Sequence, residues 1–86
     1  DYLFRNKGYD LKTLGREAGE NTIINRIKKA KKQSKNFVFD LTDAKGITDT
    51  VLNAQIKRIY ADKETAFVNT IIVVRNGKVV VVVKKA

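Results

Sequence analysis

The stretch Asn21-Thr22-Ile23-Ile24-Asn25-Arg26-Ile27-Lys28-Lys29-Ala30-Lys31-Lys32-Gln33-Ser34-Lys35-Asn36 decides how the rest of the chain folds. Ile23, Ile24, Ile27 and Ala30 recur at helical spacing, while Arg26, Lys28, Lys29, Lys31, Lys32 and Lys35 crowd the remaining surface. The spacing predicts an amphipathic helix capped at Asn21 and ending near Asn36, with a buried apolar stripe and a cationic outer face. Such a face suits contact with phosphates, and it equally suits plain solvation, the usual role of charge on a helix surface.

Upstream, Tyr9-Asp10-Leu11-Lys12-Thr13 alternates, which puts Tyr9, Leu11 and Thr13 on one face of a strand and Asp10 and Lys12 together on the other. Asn6-Lys7-Gly8 reads as the turn joining this strand to residues 1–5 in a β-hairpin. Leu14 to Glu20, broken by Gly15 and Gly19, is a loop. Downstream, Phe37 to Thr42 has strand character with two aromatics on one face, and Thr42 to Gly46 turns the chain.

A second helix is predicted from Thr48 or Asp49 to about Ala61, on the stripe Val51, Leu52, Ile56, Ile59 and Tyr60. Ala66 to Arg75 reads as one long apolar strand interrupted by Asn69 and Thr70. Asn76-Gly77 is a strong hairpin signal, leading into Lys78 to Lys84 with its five consecutive valines. Those valines suit a sheet interior and are an aggregation hazard on an open edge. The expected fold class is α+β, β-β-α-β-α-β-β, with a central, mostly antiparallel sheet of about five strands. Both helices pack on one face of it, and the other face remains free for ligand.

At 86 residues the chain is one small domain, and the absence of an initiator Met before Asp1 reads as a piece of a longer chain. Its formal net charge of +9 favours a polyanionic partner: nucleic acid, an acidic protein or an anionic membrane surface. There is no Cys and no His, which removes disulfides, thiolate metal sites, Cys nucleophiles and every imidazole-based acid or base. Proton transfer within the chain therefore falls to Lys, Arg, Asp, Glu, Tyr, Thr or Ser. No apolar run is long enough to span a bilayer.

Three constellations carry chemistry. Lys12, Arg26, Lys29 and Lys32 with their neighbours can hold phosphates, and Tyr2, Tyr9 and Tyr60 are candidates to stack on an unpaired base or to fill the core. Thr70 is either a β-branched strand residue or a hydroxyl aimed at a scissile phosphate, the latter gaining force if it faces Lys12. Asp10-Leu11-Lys12 matches the (D/E)-x-K half of a metal-dependent nuclease pattern, with Asp1 as the upstream carboxylate and Gln33 on the following helix; it is equally a surface ion pair. Gly15 and Gly19 lack the Lys-Ser/Thr of a phosphate-cradling loop.

Asp1-Tyr2-Leu3, Gly8 to Lys12, the helix ending Lys29 to Ser34, Phe37 to Leu41, and Val68 to Val74 before Asn76-Gly77-Lys78 together resemble, in order and spacing, a toxin family. It is that of the C-terminal nuclease domains of contact-dependent growth inhibition and related polymorphic bacterial toxins. The resemblance implies a ribonuclease of the barnase/EndoU/colicin/RelE-like kind that cuts tRNA through the substrate's 2′-hydroxyl, without metal or other cofactor. It also implies delivery from the producer cell surface into the target-cell cytoplasm, and a cognate immunity protein. By position, Lys12 is then the strand-borne basic catalytic residue and Thr70 the hydroxyl on the later strand. Asp10 or Lys12 transfers the proton, or catalysis is mostly electrostatic with proton transfers to solvent; Arg26 assists at the phosphate, and Lys28, Lys29 and Lys32 hold substrate. Charge reasoning adds that the immunity protein is acidic and covers the cationic cleft. Two further readings stay open: a divalent-metal nuclease using Asp1, Asp10 and Lys12, and a non-catalytic basic module that binds RNA or DNA.

Overall fold

The structure, a computed structural model, describes residues 3–4, 7–30 and 34–84, with side chains described from Tyr9 onward except at 31–33 and 85–86. The elements run β1 (Leu3–Phe4), β2 (Lys7–Gly8), β3 (Asp10–Thr13), α1 (Thr22–Lys29), β4 (Asn36–Asp40), α2 (Asp49–Ala61), β5 (Thr70–Arg75) and β6 (Lys78–Lys84). β1 and β2 form an antiparallel ribbon of their own; β3-β4-β5-β6 form a four-stranded open sheet in sequence order.

Two expectations about the sheet are corrected. The main sheet has four strands rather than five, and two of its three pairings, β3 with β4 and β4 with β5, are parallel. The cause is the repeated strand-helix-strand unit: a crossover through a helix returns the chain in the direction it started. Within this sheet only β5 and β6, joined by a tight turn, run antiparallel. The first hairpin is also different, since Lys7 and Gly8 lie in β2 and β3 leaves the ribbon to pair with β4. Tyr9 and Leu11 find their apolar partners on the next two strands, packing against a cluster of Val38 of β4 and Ile72 and Val74 of β5.

The two helices cover one face, as the pattern predicts. Ile23, Ile24 and Ile27 of α1 and Leu52 and Ile59 of α2 share one core with Phe37, Phe39, Ile71 and Val73 of the sheet. The two phenylalanine rings stack at 5.9 Å between centroids, filling the space beneath the helices. The opposite face is less open than expected. Val38 is fully buried there and Ile72 and Val74 nearly so, which leaves a second, smaller apolar core instead of a free platform.

Local chemistry explains the boundaries. α1 ends at Lys29, short of Asn36, and the Ser34 hydroxyl bonds both the carbonyl oxygen (2.9 Å) and the N–H (3.2 Å) of Asn36 where β4 begins. Asn21 does not cap α1 through its side chain. Instead the buried Gln55 of α2 accepts from Ile23 N–H at 3.0 Å and donates to Gly19 O at 3.2 Å, so a residue 32 positions away satisfies an amide of the first turn. α2 starts where expected, with Thr48 accepting from Val51 N–H at 3.3 Å. β5 begins at Thr70 rather than Ala66, so Asn69 and Thr70 mark a strand start and interrupt nothing; both their amides reach Lys35 O. Asn76 (φ 53°) and Gly77 (φ 78°) both adopt positive φ, the signature of a type I′ hairpin turn.

Candidate functional site

Parallel register decides where the charged side chains go. Asp10 lies opposite Phe37 and Lys12 opposite Phe39, so both project onto the helix-covered face at the β3 edge. There they form an ion pair, Lys12 Nζ to Asp10 Oδ2, at 3.3 Å, and both are half-buried. The alternation read from Tyr9 to Thr13 places them together as predicted.

α1 distributes its cations to two sides. Ile24 lines a cleft with Arg58, Ala61 and Asp62 of the α2 end, and Lys28 pairs with Asp62 at 3.3 Å. Arg26, two residues from both, flanks the buried stripe on the side turned from α2. The flank of α2 remote from α1 looks toward β6, where Leu52 and Asn53 line a groove with Val80 and Val81. The order across the face is therefore β3 edge, α1, α2, β6, and Arg26 overlooks the edge that carries Asp10 and Lys12. Lys29 is exposed one residue before the cap. Lys32, Gln33, Asp1 and Tyr2 lie outside the described residues.

Thr70 does not join this group. Ile71 and Val73 belong to the helix-side core and Ile72 to the opposite one, so Thr70, opposite Asn36 on β4 and Lys84 on β6, faces away from the helices. It is 8% exposed. The sheet thus stands between Thr70 and Lys12. Lys28 is likewise committed to Asp62, whose carboxyl is held below the usual range first by the Glu64 amide and then, against a smaller opposing effect of burial, by Lys28. Tyr60 packs, partly buried, against the helix-side core; burial raises its pKa, and its hydroxyl has no hydrogen-bond partner among the described residues.

Sequence reasoning passed over the carboxyl ends of the parallel strands. Arg75, at the end of β5, donates to Leu41 O at 3.1 Å and also to Ile47 O, fastening the loop between β4 and α2. Asp40 accepts from the Thr42 N–H (3.0 Å) and hydroxyl (2.7 Å), and the Thr42 oxygen accepts from Asn76 N–H (2.8 Å). That loop touches the one after β3 at Gly46, where a Cβ would stand 2.9 Å from Ala18 O. Between the loops, Arg16, Asp43 and Lys45 line a cleft of about 360 Å³. In open α/β sheets ligands bind outside the carboxyl ends of the strands, and this cleft with its two cations continues from the strand that holds Lys12. The signal was present in the charge of Arg16 and Lys45 beside Gly15 and Gly46, and only the crossing of the two loops gives it meaning.

Among the described residues no three His, Cys, Asp or Glu side chains converge on one point. None of their helices is long and apolar enough to cross a membrane.

No curated protein and no solved structure matches the chain. The family model described as "Contact-dependent growth inhibition CdiA C-terminal domain" matches residues 1–79. A match over nearly the whole chain, on a small cationic α+β domain with a charged sheet edge, places the protein in the CdiA C-terminal domain family of contact-dependent growth inhibition.

Proposed function

We propose that this domain is a ribonuclease that cuts tRNA in the target cell at the β3 edge, without metal, and that an acidic immunity protein holds it inactive in the producer. Family membership makes the chain a contact-dependent inhibition toxin, delivered between bacteria; toxin domains of this system are commonly nucleases and typically pair with an immunity protein. The observation that carries the finer reading is the Asp10–Lys12 pair, a carboxylate and an ammonium 3.3 Å apart on a half-buried edge beneath the Arg26 flank of α1.

In this reading the 2′-hydroxyl attacks the adjacent phosphorus and gives its proton to Asp10, while Lys12 stabilises the charge gathering on the phosphoryl oxygens. The P–O5′ bond breaks and the departing oxygen takes a proton from Lys12. Proton return from Asp10 to Lys12 across the 3.3 Å pair restores the starting state. Arg26, Lys29 and Lys32 hold flanking phosphates, and Arg16 and Lys45 extend that track to the strand ends. Thr70 lies outside this site. The products are a 2′,3′-cyclic phosphate and a 5′-hydroxyl. End-group analysis of the fragments tests this chemistry: cyclic phosphate ends support it, and 5′-phosphate ends that form only with added metal favour Asp10 and Lys12 as half of a metal-dependent site.

A further inference from the structure

The edge of the sheet remote from Lys12 has a character of its own. Among the described strands nothing pairs with the outer side of β6, which presents seven residues, Lys78 to Lys84, at the margin of the sheet. Val79 and Val82 are 54% and 52% exposed, and Val80 is 50% exposed. A register shift lets Val73 face Val81 and Val74 face Val79, so Val80 is the extra residue of a bulge. Val80 and Val81 thereby turn together toward α2, lining a groove of about 420 Å³ with Asp49, Leu52, Asn53 and Arg75. An incoming strand finds unpaired backbone groups along β6, and this groove receives its alternate side chains.

Charge selects the occupant. Exposed lysines, Lys78 and Lys84, bracket the valines. A second copy pairing antiparallel through its own β6 would gather four exposed lysines, Lys78 and Lys84 of each strand, along one seam. The +9 net charge of each copy opposes that association further. A strand with acidic residues around an apolar centre meets neither penalty.

We propose that β6 is the docking edge for an acidic protein that extends the sheet with an edge strand of its own. Resting on the toxin reading above, this partner is the immunity protein. It attaches three strand spacings, about 14 Å, from the β3 edge, so the strand contact is distinct from the cationic track.

Hydrogen exchange of the domain alone and with its immunity protein tests this directly. The expected result is new protection of outward-facing amides within 78–84 in the complex. Lys78→Glu with Lys84→Glu should weaken the complex at least tenfold and leave free-domain tRNA cleavage unchanged. Protection confined to 10–13 and 22–29 overturns the docking edge and leaves the toxin reading standing. Absence of any complex removes the toxin–immunity reading and this proposal with it. A stable dimer of the free domain that protects 78–84 shows a second copy as the occupant and overturns the choice of an acidic partner.

Discussion

The two margins of the sheet handle the same problem in opposite ways. β3 ends the sheet with four residues, and its helix-side positions are a half-buried carboxylate and ammonium. β6 ends it with seven residues, five of them valine, and three of those are at least half exposed. Short length and inward charge are ordinary protections against unwanted strand pairing; a long apolar margin is an invitation to it, tempered here by one bulge and two terminal lysines. The contrast teaches that charge at the β3 edge and exposure at the β6 edge need separate explanations. We assign chemistry to the first and partner binding to the second.

The variant with the largest expected effect is Lys12→Ala. Removing a positive charge aimed at the reacting phosphate should lower tRNA cleavage by roughly 100-fold or more, with circular dichroism and melting close to wild type. Wild-type cleavage by a folded Lys12→Ala protein would break the assignment of chemistry to β3.

Gln55→Leu comes next and acts on how α1 is held over that edge. It strips the Ile23 amide of its buried acceptor and should cost about 1–3 kcal/mol in urea unfolding. A cost near zero would mean that α1 is fixed by packing alone.

Smaller still, Lys29→Ala should reduce the slope of log affinity for single-stranded RNA against log salt by about 0.7. A slope unchanged from wild type would take Lys29 out of the phosphate track. Val82→Lys, placing the residue that commonly protects edges on the exposed margin of β6, should change stability by no more than ~0.5 kcal/mol. A larger cost in urea unfolding would mean that the Val82 side chain is packed and that this margin is not open.

The smallest effect concerns Asp62, remote from both margins. Its pKa is depressed in the folded state, so its contribution is complete above the ordinary aspartate range and is lost as pH falls through the depressed value. Asp62→Asn should lower stability slightly at neutral pH, where that contribution is complete, and converge with wild type at low pH, flattening that part of the acid side of the profile.

Much of the architecture is legible in local pattern. The two helices, the start of α2 at Thr48-Asp49, the Asn76-Gly77 turn and the shared face of Asp10 and Lys12 all follow from spacing and turn chemistry within a few residues. Strand direction is not local: Tyr9 to Thr13 reads as half of a hairpin until β4 supplies a better apolar neighbour for Tyr9 and Leu11. Thr70 shows the same limit, because a polar residue in an apolar run gives its parity along the strand but not which face the helices will occupy. The role of Gln55 depends on an amide 32 positions earlier, which no local pattern reveals. Arg16 and Lys45 meet only because two loops cross at Gly46.

The central claim is that this domain cleaves tRNA without metal at the β3 edge, and one gel addresses it most directly. Purified domain is incubated with total bacterial tRNA in excess EDTA, beside Lys12→Ala, and the products are resolved under denaturing conditions. Discrete fragments from the wild type and intact tRNA from Lys12→Ala are the predicted result. Intact tRNA in both lanes, with cleavage restored only by a divalent cation, would contradict it.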